Sequence, residues 1–390
     1  MGLIGRREFL AGVAAVQTRR GEKGRQFPGD VKRYSDPLTE REVWRLTGRA
    51  GGHYLPDCFQ RFVSRHNSFL LVGGGREGKT EAWRVGLPSG LMTQLSEGGG
   101  VAARSISLAP DEKSFFFLQD GTLKQTGLRT LKEREIYTVE EGWWATGELG
   151  ISVDGRYAAL VEMSEAARVV KSDGEERGMM QFERKPRCRI RVVETLKGGS
   201  WIAAEEKAWL ARPQLRPRRD QLMYCHEGPW DRVESRIWLV NLDGKQKQGL
   251  RPRQGEEELG HEYWTADGRW IGYVHYPDHS GRKTTVRALN PDTREEQVLA
   301  PCTQFWHLMG NADNSAIVGG SRSKAGPNIY VVFPLTGHEV TICEHASSGK
   351  EEGEPRPAFS PDSQWIYFTS DREGVPAVYR AGVADLVEKT

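Results

Sequence analysis

The sequence predicts an all-β chain folded as a seven-bladed β-propeller, on three observations. Seven segments recur in which a small polar turn leads into an aromatic or β-branched run. Their starts, at residues 64, 109, 152, 216, 265, 311 and 360, are separated by 45, 43, 64, 49, 46 and 49 residues. No stretch carries the pattern of a long amphipathic helix, and no alternation of strand and helix signals points to a parallel sheet. A period of ~45 residues holds four short strands and their turns, which is one propeller blade.

Each unit has the same local chemistry. In 152–160 the turn Ser152-Val153-Asp154-Gly155 precedes Tyr157-Ala158-Ala159-Leu160, and in 360–368 Ser360-Pro361-Asp362 precedes Trp365-Ile366-Tyr367-Phe368. Asp bonds its own backbone and Gly accepts positive φ, so these residues close tight turns. The apolar run that follows is continuous rather than alternating, as expected of a strand buried on both faces. Units 64–72, 109–117, 216–224, 265–273 and 311–319 follow suit. The 64-residue spacing is the outlier and includes a charged segment, 165–183, read as an insertion. A propeller closes by pairing its chain ends, so a strand within 34–47 is expected to complete the seventh blade. Pro28, Gly29 and Pro37 mark the lead-in as irregular.

Composition narrows the classes of function. The 390 residues are 37% hydrophobic and 28% charged, with a net charge of +2. No global field attracts nucleic acid or a membrane surface, and no apolar run approaches the ~20 residues of a membrane span. Neither partner is expected. Cys58, Cys188, Cys225, Cys302 and Cys343 are scattered and contain no CxxC pair, so they read as small buried hydrophobes. Residues 26–390 read as one propeller domain. Residues 1–25 read as an export signal or a disordered basic tail, because Arg6-Arg7-Glu8-Phe9-Leu10 and the short apolar run after it resemble a twin-arginine signal. Export to the periplasm is expected, with the cytoplasm as the alternative.

Chemistry concentrates in the connection 225–238. It joins two apolar strands yet carries His226, Glu227, Trp230, Asp231, Arg232, Glu234 and Arg236, where a turn of two to five residues is usual. Three further stretches precede successive turns: Gly260-His261-Glu262-Tyr263-Trp264, Gln304-Phe305-Trp306-His307, and Glu351-Glu352-Gly353-Glu354-Pro355-Arg356-Pro357. Equivalent positions in adjacent blades lie at one depth around the axis, so a base, a ligand and a charged cluster are expected to face one another. Tyr54, Trp143, Trp144 and Trp230 are candidates to stack on a bound ligand, although tryptophan in a propeller more often packs blades.

At these residues the chain resembles the oligogalacturonate lyase family, seven-bladed propellers that degrade pectin. The similarity runs from residue 26 to residue 390 and is closest in 225–238, 260–264 and 360–374. It implies β-elimination, in which a base removes the C5 proton of a uronate and the 4-linked bond breaks. It also implies His261 as the Brønsted base and Arg236 as the cation near the uronate carboxylate. Neutral imidazole is available near pH 7, and a cation on the carboxylate acidifies the α-proton. His226, Trp230 and Arg356 are expected to meet the substrate, an acidic oligosaccharide.

The resemblance further implies a divalent metal, manganese, held by a His of the sixth blade and a Gln-x-x-His-x-His run of the seventh. His307 matches the first ligand. Glu351 stands for the Gln, Glu354 for the first His and Arg356 for the second, and a guanidinium cannot ligate a metal. Two readings follow: a lyase in which Arg356 supplies the charge of the metal, or a catalytically silent propeller that binds an acidic sugar or a protein. A hard cation on His307, Glu351 and Glu354 is the third possibility for the site. A serine peptidase propeller is set aside, since no Gly-x-Ser-x-Gly elbow is present.

Overall fold

All seven predicted apolar runs are strands, and each is the second strand of its blade, beside the one nearest the axis. A computed structural model describes residues 22–48, 51–76, 79–169, 174–277, 284–321, 323 and 325–390. The runs form Phe69–Arg76, Ser114–Gln119, Tyr157–Ser164, Gln221–His226, Ile271–Tyr276, Ile317–Ser321 and Trp365–Ser370. Every residue of Ile271–Tyr276 and Ile317–Ser321 is buried, which is why these runs lack polar alternation. Seven antiparallel sheets result, five with four strands and two with five.

The ring closes as expected. Blade seven consists of Ala358–Phe359, Trp365–Ser370 and Ala377–Gly382 from the chain's end, joined by Glu42–Arg45 and then Lys32–Ser35 from its beginning. Val43 pairs with Ala381 and Arg45 with Tyr379. Hydrophobic clusters fill the space between neighbouring sheets: Phe115 and Phe117 pack toward blade one, and Tyr224 with Val161 joins blades three and four. Burying one such side chain stabilises by about 1.5–3 kcal/mol. Several tryptophans add ring contacts within a sheet, among them Trp83 against Phe27 and Trp201 against Tyr157.

The turns are held by the bonds their residue types predict. Thr265 Oγ donates to Asp267 at 2.6 Å, the Arg269 N–H donates to Asp267 at 3.0 Å, and the Trp270 N–H donates to Thr265 Oγ at 3.1 Å. Ser152/Asp154 and Ser360/Asp362 repeat the pattern. The long spacing holds a short 3-10 turn, Glu165–Ala167, and a ten-residue helix, Gly174–Glu183, the one α-helix among the described residues. The twin-arginine stretch lies outside the described residues.

Candidate active site

Near the axis the inner strands lose their regular register. Extra residues in blades four, five and six break the pairing between Ala211 and Gln214, Gly260 and Tyr263, and Trp306 and Leu308. The bulged residues take positive φ: Arg212 at 54°, His261 at 62° and His307 at 60°. Blade three breaks between Ala145 and Leu149, with Gly147 at 93°. In blade seven Arg356 sits at 39°, just before the inner strand. A β-bulge re-aims a side chain at the expense of one ladder bond. Positive φ in a residue with a Cβ costs ~1–3 kcal/mol and concentrates at functional sites.

These bulges gather a polar cluster. The His261 and His307 rings lie 4.7 Å apart between centroids, and Trp306 is 5.2 Å from His261. His307 Nε2 lies 3.2 Å from Glu354, which also accepts from Trp306 Nε1 at 3.3 Å. Arg356 donates to Glu354 and, at 2.5 Å, to Asp57. Arg104 reaches within 3.7 Å of Glu354. On the other side Arg236 donates through Nε to Glu262 at 2.6 Å and through both terminal nitrogens to Glu227 at 2.8 and 3.0 Å. Arg212 lies 3.6 Å from Glu262 and donates to its carbonyl oxygen at 3.2 Å. The buried Cys225 thiol donates to Glu262 at 3.2 Å.

Burial and neighbouring charge set the protonation states. His261 is held well below the ordinary histidine range by burial, then by His307 and by the guanidinium groups of Arg212, Arg236 and Arg356. It is therefore neutral at pH 7. Burial and Arg356 lower His307 to about 4. Burial alone would raise Glu354, but Arg356 and His307 pull it below the carboxylate range. Glu148 goes the other way: burial, then the charge of Asp57, pushes it up to about 7, despite a bond from the Arg212 N–H at 3.0 Å.

A cavity of about 420 Å³ is lined by Tyr54, Arg104, Trp144, Glu148, Trp209 and Glu352, among others. It meets the cluster at Arg104, beside Glu354, and at Glu148, beside Arg212. Two of the proposed stacking residues, Tyr54 and Trp144, line it; Trp143 instead lies under Arg189, 4.0 Å from its ring centroid. The structure thus brings His261, Arg236, His307, Glu354 and Arg356 together. His226 is elsewhere, 3.2 Å from Glu206 and stacked on Trp238 at 4.6 Å. Trp230 and Glu351 begin the short turns Trp230–Arg232 and Glu351–Gly353, and their side chains lie outside the described residues.

The two described members of the expected ligand set, His307 and Glu354, do not by themselves fit a transition metal. Glu354 is shared between His307 and Arg356, and the Arg356 guanidinium has no lone pair to offer. Among the described residues no three His, Cys, Asp or Glu side chains are gathered as ligands.

Sequence reasoning missed Arg104, Asp57, Glu148, Arg212 and Trp209. A signal existed for two of them. The residue four places before each of the seven turns is Gln60, Ser105, Glu148, Arg212, His261, His307 or Arg356, polar in every blade. Six of these are buried in the structure and Glu148 is half-buried. One polar residue recurring beside an apolar strand marks the axial ring.

Three comparisons bear on identity. Residues 21–387 match the family model described as oligogalacturonate lyase. The chain is 30% identical to an oligogalacturonide lyase of Pectobacterium atrosepticum, covering 94% of this chain and 99% of the relative. It is 29% identical to an oligogalacturonate lyase of Dickeya dadantii, with the same coverage. A solved oligogalacturonate lyase in complex with manganese superposes with a TM-score of 0.88 at 31% identity, covering 93% of this chain and 98% of the other.

Proposed function

The chain belongs to the oligogalacturonate lyase family, and we propose that it cleaves short oligogalacturonides by β-elimination without a transition metal in its site. The observation that carries this reading is His261, a neutral imidazole on a strained bulge, surrounded by guanidinium groups. Neutral imidazole accepts the C5 proton. Loss of that proton places negative charge on the uronate carboxylate, and fixed cations in a buried site stabilise it without reorganising.

Arg356 is the group that takes over the role of the metal charge. Asp57 and Glu354 grip it from two sides, so it is oriented before substrate arrives. Arg236 stands beside His261 as the second cation. Three of its five donors are held by Glu227 and Glu262, which fixes its plane. Glu148, on the cavity wall and titrating near 7, is the group we assign to protonate the departing oxygen. In the balanced step the C5–H proton passes to His261 and the C5 electron pair forms the C4=C5 bond. The C4–O4 pair leaves with oxygen, and the Glu148 proton goes to that oxygen. Exchange with water resets both groups.

The test is ultraviolet absorbance of the unsaturated uronate during incubation with di- and trigalacturonate, with and without chelator, with added manganese, and with His261→Ala. A rise that resists chelator and disappears in the variant is expected. A rise that requires manganese would overturn the role of Arg356. Binding of oligomers with no rise under any condition would make the protein a silent sugar-binding propeller.

A further inference from the structure

We propose that a second cavity, over blade four, is a binding site for the additional uronate units of longer oligogalacturonides. This inference rests on the substrate class proposed above. The second cavity holds about 510 Å³ and shares Trp209 with the first. Both volumes fall within the ~300–1,000 Å³ of ordinary ligand sites. The helix Gly174–Glu183 borders both as well, with Gln181 on the first cavity and Phe182 on the second. The two cavities therefore adjoin at Trp209 and at the helix, so a chain bound at the first would enter the second by passing this tryptophan.

Two features singled out in the sequence build this groove. The inserted helix supplies Phe182, and the long loop after Gln221–His226 receives it at Gly228. A Cβ at Gly228 would come within 2.3 Å of the Phe182 ring, and its φ of +148° also disfavours other residues. Arg232 from the same loop lies 5.0 Å from the Phe182 ring centroid and 3.4 Å from Glu183. The insertion is thus packed against the loop as one wall.

The lining suits a polyanionic sugar. Lys185, Lys207 and Arg232 are exposed cations on the groove, and Trp209, Trp238 and His226 present ring surface. Of the two carboxylates there, Glu227 has both oxygens occupied by Arg236, and Arg232 already faces Glu183, which leaves Lys185 and Lys207 against Glu234. Galacturonan carries one carboxylate per sugar, and sugars offer apolar faces to aromatic rings. Charge and surface therefore match alternate features of the ligand.

The experiment compares the full-length chain with Lys185→Ala/Lys207→Ala on digalacturonate and tetragalacturonate. Because each is an exposed contact, kcat/KM on the tetramer is expected to fall roughly fivefold to tenfold, with digalacturonate changed less than about twofold. Raising salt should weaken the tetramer preference of the unmodified chain and leave the variant unmoved. Calorimetric titration of His261→Ala and of His261→Ala/Lys185→Ala/Lys207→Ala with both oligomers gives the same comparison without turnover. Tighter tetramer binding that the lysine changes abolish supports the groove, even if the unmodified chain turns over neither oligomer; that result would overturn the lyase reading alone. Equal binding of both oligomers, or equal losses on both in the lysine variant, overturns the groove.

Discussion

The end and the middle of one strand, Glu258–Trp264, behave oppositely. At one end Thr265 and Asp267 bond residues two to five positions away and hold a tight turn. At its middle, His261 sits on a bulge among Arg212, Arg236, His307 and Arg356 from three further blades. The turn is stabilised by local bonds and is repeated around the ring. The bulge is strained locally, and is retained only because the surrounding sheets dictate its geometry. Stability is concentrated at the end and chemistry at the middle, so substitutions at the two should separate the two properties.

The strongest way to sharpen this contrast is His261→Ala, expected to lower kcat by ~10³–10⁴-fold while leaving the fold intact. Product absorbance and thermal unfolding measured on the same sample check it. Loss of stability without loss of activity would break the contrast. Arg356→Ala comes next, because it leaves buried Asp57 without its bonded cation and Glu354 with Arg104 alone. Denaturant unfolding should show a loss of about 3–5 kcal/mol, accompanied by loss of turnover. Arg356→Lys should restore stability better than rate, since a point charge cannot reproduce the two-sided grip.

Glu148→Gln follows, with an expected ~10²-fold drop in kcat and a changed pH profile. The proposed acid must be protonated and its pKa is about 7, so kcat/KM of the unmodified chain should fall as pH rises through that value. The Gln variant should lack that fall. Stability follows the same group. Its folded pKa is raised from 4.5 to about 7, so the folded chain binds the proton more tightly between those values. Its contribution is complete below 4.5 and disappears as pH rises through about 7. The Gln variant should gain stability relative to the unmodified chain over that interval. Unfolding curves at pH 4.5 and 8 would show it.

The smallest effect belongs to the turn end. Asp267→Ala removes the acceptor of two bonds on an exposed residue and should cost about 1 kcal/mol of stability with unchanged kcat/KM. A comparable loss of activity would show that the turn and the bulge are mechanically coupled.

The sequence alone was enough to specify the blades. Ser, Thr, Asp and Gly close turns through bonds within a few residues, and continuous apolar runs mark strands buried on both faces. Both signals are local, so seven copies could be read and the closing strand could be anticipated. His261 and Arg236 were also legible as candidates, through the resemblance of 225–238 and 260–264 to a known family, and His307 through its match to that family's sixth-blade ligand. Asp57 and Arg104 were not, because they come from connections whose composition resembles any loop. Glu148 and Arg212 carried only a faint periodic trace. Tertiary structure alone decided which charges meet: Asp57 and Arg356 are 299 positions apart in the chain and 2.5 Å apart in space. Burial then decided their protonation, lowering His261 and His307 and raising Glu148, because the energy of a charge depends on what surrounds it, and here residues from several blades provide those surroundings.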